Sequence, residues 1–366
     1  MELTVAEIVS HFSVMLDDEE LTPYGNGHIN ETYIVGDTHK YILQKINTAV
    51  FRDPDGMMKN IIGVTAHLRE KIKEQGGDPD RETLTPIYTK DGKSCYHAPD
   101  GFCYRMYLYV DAVCRDAVED PHQLYHAARA FGRFQRLLAD YPAEELHEVI
   151  PRFHDTRNRF SHLREAMEKN AAGRLAEVAD EVAFALAREG EVGIVLDAIT
   201  AGEVPLRVTH NDTKLNNVML DRETGEGLCV IDLDTVMPGS LLYDFGDALR
   251  FGANAGAEDE TDLSKIYFRM DCFEEFTRGF IEELGDTMTP REIELLPFSV
   301  KLMTFECGIR FLTDYLNGDT YFRIHRPRHN LDRCHTQFAL VADIEKKMDD
   351  MHAVVAKCMK ERGNCV

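Results

Sequence analysis

The sequence is short of positive charge, of long apolar runs and of paired cysteine motifs, and each shortage removes a class of function. Its 41 lysines and arginines stand against 64 aspartates and glutamates, and the net charge of −23 repels nucleic acid and anionic membranes. No apolar stretch reaches the length that spans a bilayer. The nine cysteines are scattered without CxxC or metal-type spacing, which favours free thiols over a disulfide framework.

The remaining composition is typical of an enzyme with two lobes. A chain of 366 residues exceeds what one compact core usually holds, and 44% hydrophobic residues can bury two. Its first residues are acidic and helix-like, unlike an export signal, so we expect a cytoplasmic protein. Strand signals end near residue 110 and helical ones begin near 120, which predicts an N-terminal lobe at 1–111 and a C-terminal lobe at 112–366.

A polar turn near the middle of the chain carries the strongest chemical signal. It reads HNDTKLNN over residues 210–217, and Asp212 is a carboxylate suited to take a proton from an attacking hydroxyl. Lys214 would neutralise charge on a transferring phosphoryl group. Asn217, five residues beyond Asp212, and Asp232, at the end of the next predicted strand, offer the hard oxygen ligands that Mg²⁺ prefers. The spacing Asp-x-Lys-x-x-Asn is that of kinase catalytic loops, so we predict phosphoryl transfer from ATP.

Two further residues are predicted to support this turn. Asp244 opens a helix, from which it can reach the backbone amides of the turn or His210 and so hold Asp212 in place. The alternative for Asp244 is a simple helix cap. For the turn itself, the alternative is an ordinary loop whose side chains hydrogen-bond to their own backbone. Strands predicted on both sides of the turn favour the kinase interpretation.

The N-terminal lobe is predicted to bind the nucleotide. Gly25 and Gly27 lie in a loop between the first two strands, where backbone without Cβ atoms can approach phosphates. Lys45 on the third strand is placed like the strand lysine of kinases. Tyr109 lies at the end of the last strand, in the segment 107–111, which could hydrogen-bond an adenine edge or simply pack into the core. Strands are predicted at 21–24, 32–35, 41–46, 84–88 and 102–110.

Apolar residues at a period near 3.6 predict the helices. One of them, at 54–75, offers Asn60 and no early glutamate, so the lysine–glutamate pair of protein kinases is not expected at Lys45. The others are predicted at 121–138, 156–170, 175–188, 241–250, 262–284, 290–316 and 339–359.

Several longer blocks resemble the aminoglycoside phosphotransferase and choline kinase superfamily, and within it the N-acetylhexosamine 1-kinases. The resemblance implies a protein-kinase-like α+β fold of two lobes, a small five-stranded antiparallel sheet lobe and a larger, mainly helical lobe. It also implies ATP- and Mg²⁺-dependent phosphorylation of the anomeric hydroxyl of N-acetylglucosamine or N-acetylgalactosamine. The blocks are residues 24–30, 206–217, 231–235, 237–240, 250–253, 306–308 and 310–311.

The same resemblance implies which residues line the sugar pocket. Aromatic rings can stack on a sugar face, while histidine, threonine and arginine hydrogen-bond to its hydroxyls and acetamide. Ordinary packing is the alternative for each of them. The residues are His28, Asp234, Thr235, Phe251, Arg310 and Tyr321.

Other readings of the chain differ in substrate or in activity. A related kinase acting on an aminoglycoside, choline or another amino alcohol would share the ATP-binding half, and a non-catalytic pseudokinase would keep only binding. A protein kinase is disfavoured, because only twelve residues separate Asp232 from Asp244 and leave no room for an activation loop. The basic run at 323–330 suits a solvated turn better than a phosphate-collecting patch. No nucleic acid, membrane or obligate protein partner is expected.

Overall fold

A computed structural model describes residues 4–14, 21–25, 30–99 and 101–363. Its strands are β1 (Leu21–Pro23), β2 (Glu31–Val35), β3 (Tyr41–Ile46), β4 (Pro86–Ile87), β5 (Tyr96–His97), β6 (Cys103–Leu108), β7 (Arg207–Thr209), β8 (Val218–Leu220), β9 (Gly227–Val230) and β10 (Met237–Gly239). Its helices are α1 (Val5–Val9), α2 (Pro54–Glu74), α3 (Pro79–Glu82), α4 (Pro121–Leu137), α5 (Thr156–Lys169), α6 (Ala179–Leu186), α7 (Ile194–Thr200), α8 (Leu241–Gly252), α9 (Met270–Leu284), α10 (Pro290–Asn317) and α11 (His329–Gly363).

The chain forms two compact units, and each is assembled from several stretches of sequence. The first unit contains Met1–Arg115, Leu137–Pro151 and Asn216–Pro238. The second contains Asp116–Arg136, Arg152–Leu215 and Gly239–Val366. Two stretches far along the chain therefore belong to the same unit as the N-terminal sheet.

An antiparallel sheet organises the first unit. Its strands follow the order β1-β2-β3-β6-β4, and β5 pairs with β6 beside that path. The sheet has six strands, one more than predicted, because Tyr96 and His97 pair with the start of β6. Apolar side chains from β3 and β6 meet those of α1 in a buried core that includes Ile8, Phe12, Leu43 and Met106.

One buried asparagine on α2 joins distant stretches of the first unit. The helix begins where Asp53 accepts a hydrogen bond from the Gly56 amide at 2.9 Å. Farther along, the Asn60 amide donates to the carbonyls of His147, at 2.8 Å, and Val236, at 3.0 Å. It also accepts a bond from the His147 amide at 2.8 Å. Because an unpaired buried amide is costly, these bonds hold the two later stretches against α2.

The second unit is built from packed helices. Its apolar core draws on α5, α10 and α11, with Leu163, Leu312 and Val341 fully buried. Phe245 of α8 contacts three rings of α9 at centroid distances of 5.2 to 6.1 Å, namely Phe273, Phe276 and Phe280. Aromatic contacts of this kind add to simple burial.

Helix positions agree with the prediction better than helix lengths do. The helix predicted at 175–188 is reduced to α6 after a separate single turn, and the one predicted at 262–284 begins only at Met270. The last helix is longer than predicted, at His329–Gly363. The helix α7 was not predicted, because its seven residues are too few to reveal a period. Within the described ranges, no helix combines the length and the apolar character needed to cross a membrane.

Replacing Gly246 with alanine is expected to destabilise the protein. The added Cβ would overlap the Ser299 carbonyl oxygen and lie 2.7 Å from Met303 Cγ, so α8 and α10 would have to separate. Overpacking of this kind costs about 1–3 kcal/mol, against a gain of roughly 1 kcal/mol in helix propensity. Urea unfolding measures the change. Gly190→Ala is the matched control, because no atom lies within 4 Å of its added Cβ. Equal stability of the two variants would contradict the packing argument.

Candidate active site

Two carboxylates of α8 hold the turn that carries Asp212. Ser240 caps this helix by accepting a hydrogen bond from the Leu242 amide at 3.2 Å. One turn on, the buried Asp244 carboxylate accepts bonds from the amides of His210, at 3.0 Å, and Asn211, at 2.7 Å. The Asp247 carboxylate accepts one from the Thr213 amide at 3.1 Å. The backbone is therefore anchored on both sides of Asp212.

The burial of Asp244 and Asp247 makes their charges depend on their partners. Burial raises the pKa of Asp244, and its bonds from the His210 and Asn211 amides and from Gln135 only partly offset this. The Gln135 amide donates to Asp244 at 2.5 Å. Asp247 is equally buried, but the Arg250 guanidinium, which donates to it at 2.9 and 3.0 Å, brings its pKa below the ordinary value. Asp247 therefore remains an anion beside the turn.

The side chain of Lys214 lies against Asp212. Its Nζ is 2.9 Å from Oδ1 and 3.2 Å from Oδ2 of that carboxylate. Burial alone would lower the pKa of Lys214, but attraction to Asp212 and the hydrogen bond between them raise it. The predicted base and the predicted cation are thus in direct contact.

His210 packs inside the second unit. Its ring meets those of Phe131 and Phe134 edge to face, at centroid distances of 5.6 and 6.2 Å. Its Nδ1 accepts a hydrogen bond from the Asp212 amide at 3.3 Å. The ring therefore touches the turn through the backbone of the predicted base.

A buried ion pair that the sequence did not reveal supports the turn from the opposite side. His154 Nε2 donates to the Asn211 carbonyl at 3.1 Å, and Nδ1 bonds to the Glu306 carboxylate at 2.9 Å. Thr156 donates to the other oxygen of Glu306 at 2.6 Å. Burial opposes charge on both groups, but their contact raises the pKa of His154 and lowers that of Glu306. Glu306 lies in one of the sequence blocks that resemble the superfamily, whereas no pattern near His154 indicated its role.

The predicted metal ligands lie at one end of a two-stranded ribbon in the first unit. Strands β8 and β9 form a ribbon in which Val218 pairs with Val230, and the Ile231 amide donates to the Asn217 carbonyl at 2.9 Å. Asp232 follows Ile231 directly, so the ribbon brings Asn217 and Asp232 to the same end. Asp232 has left-handed backbone angles, φ 58° and ψ 54°, which aspartate tolerates better than most residues. An amide and a carboxylate oxygen fit the hard ligands of Mg²⁺.

The predicted phosphate lysine has a glutamate partner from an unexpected element. Glu31 of β2 lies opposite Lys45 in the strand register, and its carboxylate is 3.4 Å from Nζ. The same ammonium lies 3.7 Å from the centroid of the Phe102 ring. Asn60, the residue at the usual helix position, is committed to the backbone contacts described above.

A buried ion pair occupies Asp234, one of the predicted sugar ligands. Asp234 pairs with the Arg105 guanidinium, and both side chains are almost fully buried. It also accepts a bond from the Asn30 amide at 2.7 Å. Burial alone would lower the pKa of Arg105, but the Asp234 carboxylate raises it, so the arginine stays charged. Removing one partner of such a pair typically costs about 3–5 kcal/mol.

The predicted nucleotide contacts are only partly described. Tyr109 lies near Tyr24, with ring centroids 6.3 Å apart, but its amide donates to the Lys40 carbonyl at 3.1 Å. That amide is therefore not available to an adenine edge. Gly25 has a positive φ of 76°, as a turning glycine loop requires. Gly27 and His28, the latter a predicted residue of the sugar pocket, lie outside the described residues.

The remaining predicted sugar contacts divide between the units. Thr235 is a buried residue of the first unit, while Phe251, Arg310 and Tyr321 belong to the second. Arg310 and Tyr321 both contact the ring of Phe322. The Arg310 guanidinium carbon lies 5.4 Å from the centroid of that ring, and the Tyr321 ring centroid lies 4.8 Å from it. The Tyr321 side chain is 72% exposed.

A second carboxylate missed in the sequence shapes the segment around Tyr321. Asp314 accepts hydrogen bonds from the amides of Thr320, Tyr321 and Phe322 at 2.8 to 2.9 Å. The Asn330 amide completes its shell at 2.9 Å. The buried Asp314 therefore positions the exposed tyrosine ring through its backbone.

The basic run at 323–330 makes contacts with acidic residues of its own unit. Arg326 lies 3.2 Å from the Asp332 carboxylate, and His329 lies 3.0 Å from that of Asp259. The expected solvated turn is wrong for the end of the run, because His329 and Asn330 are buried and begin α11.

Residues 20–284 match the phosphotransferase enzyme family. The chain is similar to a microcompartment-associated aminopropanol kinase, at 16% identity and a TM-score of 0.55 over 95% of this chain and 98% of that one. An aminoglycoside phosphotransferase from Alicyclobacillus acidocaldarius has 14% identity and a TM-score of 0.58, over 99% and 98% of the two chains. An amicoumacin kinase solved with AMP-PNP and Ca²⁺ has 15% identity and a TM-score of 0.59, over 94% and 92%.

At identities this low, the similarity to solved structures concerns the fold. It confirms the predicted α+β, protein-kinase-like fold, with an antiparallel sheet in one unit and helices in the other.

The stability contributed by His154 is expected to depend on pH. Because its pKa is raised from 6.5, this contribution is complete below 6.5 and is lost as the pH rises through the raised value. Glu306 behaves oppositely, since its pKa is lowered from 4.5 and its contribution is lost only as the pH falls through the lowered value. The Tm difference between wild type and His154→Gln should therefore be largest between pH 4.5 and pH 6.5, where both contributions are complete, and should shrink in alkaline buffer.

Thermal unfolding across pH measures this difference. His67→Gln is the control, because its ring contacts the exposed Asp140 carboxylate at 2.9 Å and surface pairs contribute little. A Tm difference for His154→Gln that stayed constant into alkaline buffer would show that the buried charge pair is not its source.

Proposed function

Because the chain belongs to the phosphotransferase enzyme family, we propose that it transfers the γ-phosphoryl group of ATP to the anomeric hydroxyl of N-acetylglucosamine or N-acetylgalactosamine. The product is the α-1-phosphate of the sugar. The observation that carries the proposal is the turn anchored by Asp244, which presents Asp212 with Lys214 at 2.9 Å. Phosphoryl transfer asks for positioning more than for covalent chemistry, and this turn is built for positioning.

The reaction is a direct in-line displacement. Asp212 takes the proton from the anomeric hydroxyl, whose oxygen forms a bond to the γ-phosphorus while the bond from that phosphorus to the β–γ bridging oxygen breaks. ADP leaves with the electron pair of the broken bond. Lys214 supplies positive charge for the phosphoryl oxygens. Mg²⁺, when held by Asn217 and Asp232, would neutralise charge on the nucleotide phosphates.

Lys45 is proposed to bind the ATP phosphates. Its contacts with Glu31 and Phe102 hold the ammonium on the face of the sheet without using up all of its donors. Because the glutamate comes from the neighbouring strand, this lysine would stay in place without a helix movement of the protein-kinase type.

The choice of a sugar acceptor rests on the resemblance and on the second unit. Tyr321 exposes an aromatic ring whose backbone is fixed by Asp314, and such a ring suits stacking on a sugar face. Arg310, which shares the Phe322 ring with Tyr321, carries donors suited to the acetamide carbonyl. In the first unit, the pairing of Asp234 with Arg105 favours a role for Asp234 in fixing its neighbours, with Thr235 offering its hydroxyl to substrate.

A kinase for an amino alcohol or an aminoglycoside is the second candidate. The solved structures include an aminopropanol kinase and an aminoglycoside phosphotransferase, and a net charge of −23 would favour a cationic acceptor.

Product analysis separates the two candidates. With ATP and Mg²⁺, we expect N-acetylglucosamine or N-acetylgalactosamine to give a phosphomonoester whose phosphorus signal in NMR couples to the anomeric proton. Choline and kanamycin serve as competing acceptors under the same conditions. Product from the amines alone would replace the sugar proposal, and nucleotide binding without product from any acceptor would indicate a pseudokinase.

Replacing Asp212 with asparagine is expected to remove most of the turnover while leaving folding and ATP affinity nearly intact. A positioned base typically contributes about 10²- to 10⁴-fold to the rate. The measurement is kcat for sugar phosphorylation together with calorimetric ATP affinity. Asp197→Asn is the control, since Asp197 is a surface partner of Arg157. A fully active Asp212→Asn enzyme would refute the role of base.

A further inference from the structure

The strand missed in the sequence brings together two cysteines and a histidine in the first unit. His97 of β5 lies directly opposite Cys103 of β6 in the antiparallel register, so their side chains share one face of the ribbon. Cys95 lies just before β5, two residues ahead of His97. One ligand atom from each of the three lies within 4.8 Å of the others.

A carboxylate from α2 completes a set of four donors. Asp55, in the first turn of that helix, has Oδ1 2.9 Å from His97 Nε2 and 3.4 Å from Cys95 Sγ. Asp53 and Pro54 fix this turn as cap and first residue. The four residues therefore come from the start of α2, from β6, and from β5 with the residue before it, all within one unit.

The spacing of these atoms is that of a tetrahedral zinc site. Zinc binds sulfur at about 2.3 Å and imidazole nitrogen at about 2.05 Å, so two such ligands at a tetrahedral angle lie about 3.6 Å apart. The distance from Cys95 Sγ to His97 Nε2 is 3.6 Å. The 3.4 Å from Cys95 Sγ to Asp55 is close to the value of about 3.5 Å for sulfur and a carboxylate oxygen on the same ion. The hydrogen-bonded pair of His97 and Asp55 would have to open by a few tenths of an ångström, and Cys103 Sγ lies within 4.8 Å of the Cys95 and His97 ligand atoms.

We propose that Cys95, His97, Cys103 and Asp55 bind a zinc ion that fastens the β5–β6 hairpin to the start of α2. Both cysteines are buried, whereas the side chains of His97 and Asp55 are 49% and 70% exposed, which leaves a path for the ion from solvent. Sulfur and imidazole ligands select zinc over magnesium, so this site is distinct from the predicted site at Asn217 and Asp232. With four protein ligands it has no open position, as expected for a structural ion.

The zinc site lies next to the predicted phosphate lysine. Phe102 precedes Cys103 in the chain, and its ring lies 3.7 Å from Lys45 Nζ. Cys103 itself pairs with Ile46, the neighbour of Lys45 in β3. A bound ion would therefore restrain the hairpin that carries this ring.

Cobalt titration tests the proposal without using enzyme activity. Metal-free, reduced protein is titrated with Co²⁺ in saturating Mg²⁺, which fills oxygen-ligand sites, and the complex is then titrated with Zn²⁺. We expect one equivalent of Co²⁺ to give sulfur-to-cobalt charge transfer and tetrahedral visible bands, both removed by one equivalent of Zn²⁺. Cys95→Ser and Cys103→Ser should each weaken the charge transfer, and the double variant should abolish it.

Matched variants separate ligands from bystanders. His97→Gln and Asp55→Asn should each weaken Zn²⁺ affinity at least about tenfold, whereas Cys114→Ser, which replaces an exposed cysteine outside the cluster, should not. The Tm of each variant in chelator is its own reference; the four ligand variants should lose the increase in Tm that Zn²⁺ produces, whereas Cys114→Ser should keep it. Unchanged Co²⁺ spectra in the double cysteine variant would overturn the proposal. So would a Cys95–Cys103 disulfide in protein kept under reducing conditions.

Discussion

The buried carboxylate of Asp244 is the contact on which the candidate site depends. A carboxylate removed from water is stable only if donors surround it, and here two of its donors are consecutive amides of the turn that carries Asp212. The position of α8 therefore fixes the backbone of the turn. Three consecutive residues of α8 divide the work: Asp244 holds the turn, Phe245 packs against α9, and Gly246 allows α10 to approach.

Buried charges elsewhere follow the same rule. His154 reaches the turn as half of an ion pair with Glu306, and Arg105 meets Asp234 in the interior of the other unit. Each pair costs desolvation and returns it only in a closely defined geometry, which makes such pairs better at fixing position than at adding stability. Phosphoryl transfer depends mainly on positioning, so buried pairs that fix side chains in place suit it despite their desolvation cost.

The clustering of Cys95, His97 and Cys103 depends on strand pairing at one side of the sheet. Linear spacing hid this group, because its ligands become neighbours only through a two-residue strand and the register of β5 on β6. The proposed zinc ion would reinforce the edge of the sheet, where strand pairing is shortest, and Asp55 would connect that edge to α2.

The amino-acid sequence by itself determined the fold class and most elements, and it singled out residues 210–217, because period, turn residues and spacing are local properties of the chain. It also determined that Lys45 lacks an early glutamate on α2. Only the tertiary structure decided that Glu31 takes that place, that His154 and Glu306 support Asn211, and that a fourth donor joins Cys95. Those contacts join residues far apart in the chain, so strand register and helix packing specify them, and no local pattern records either.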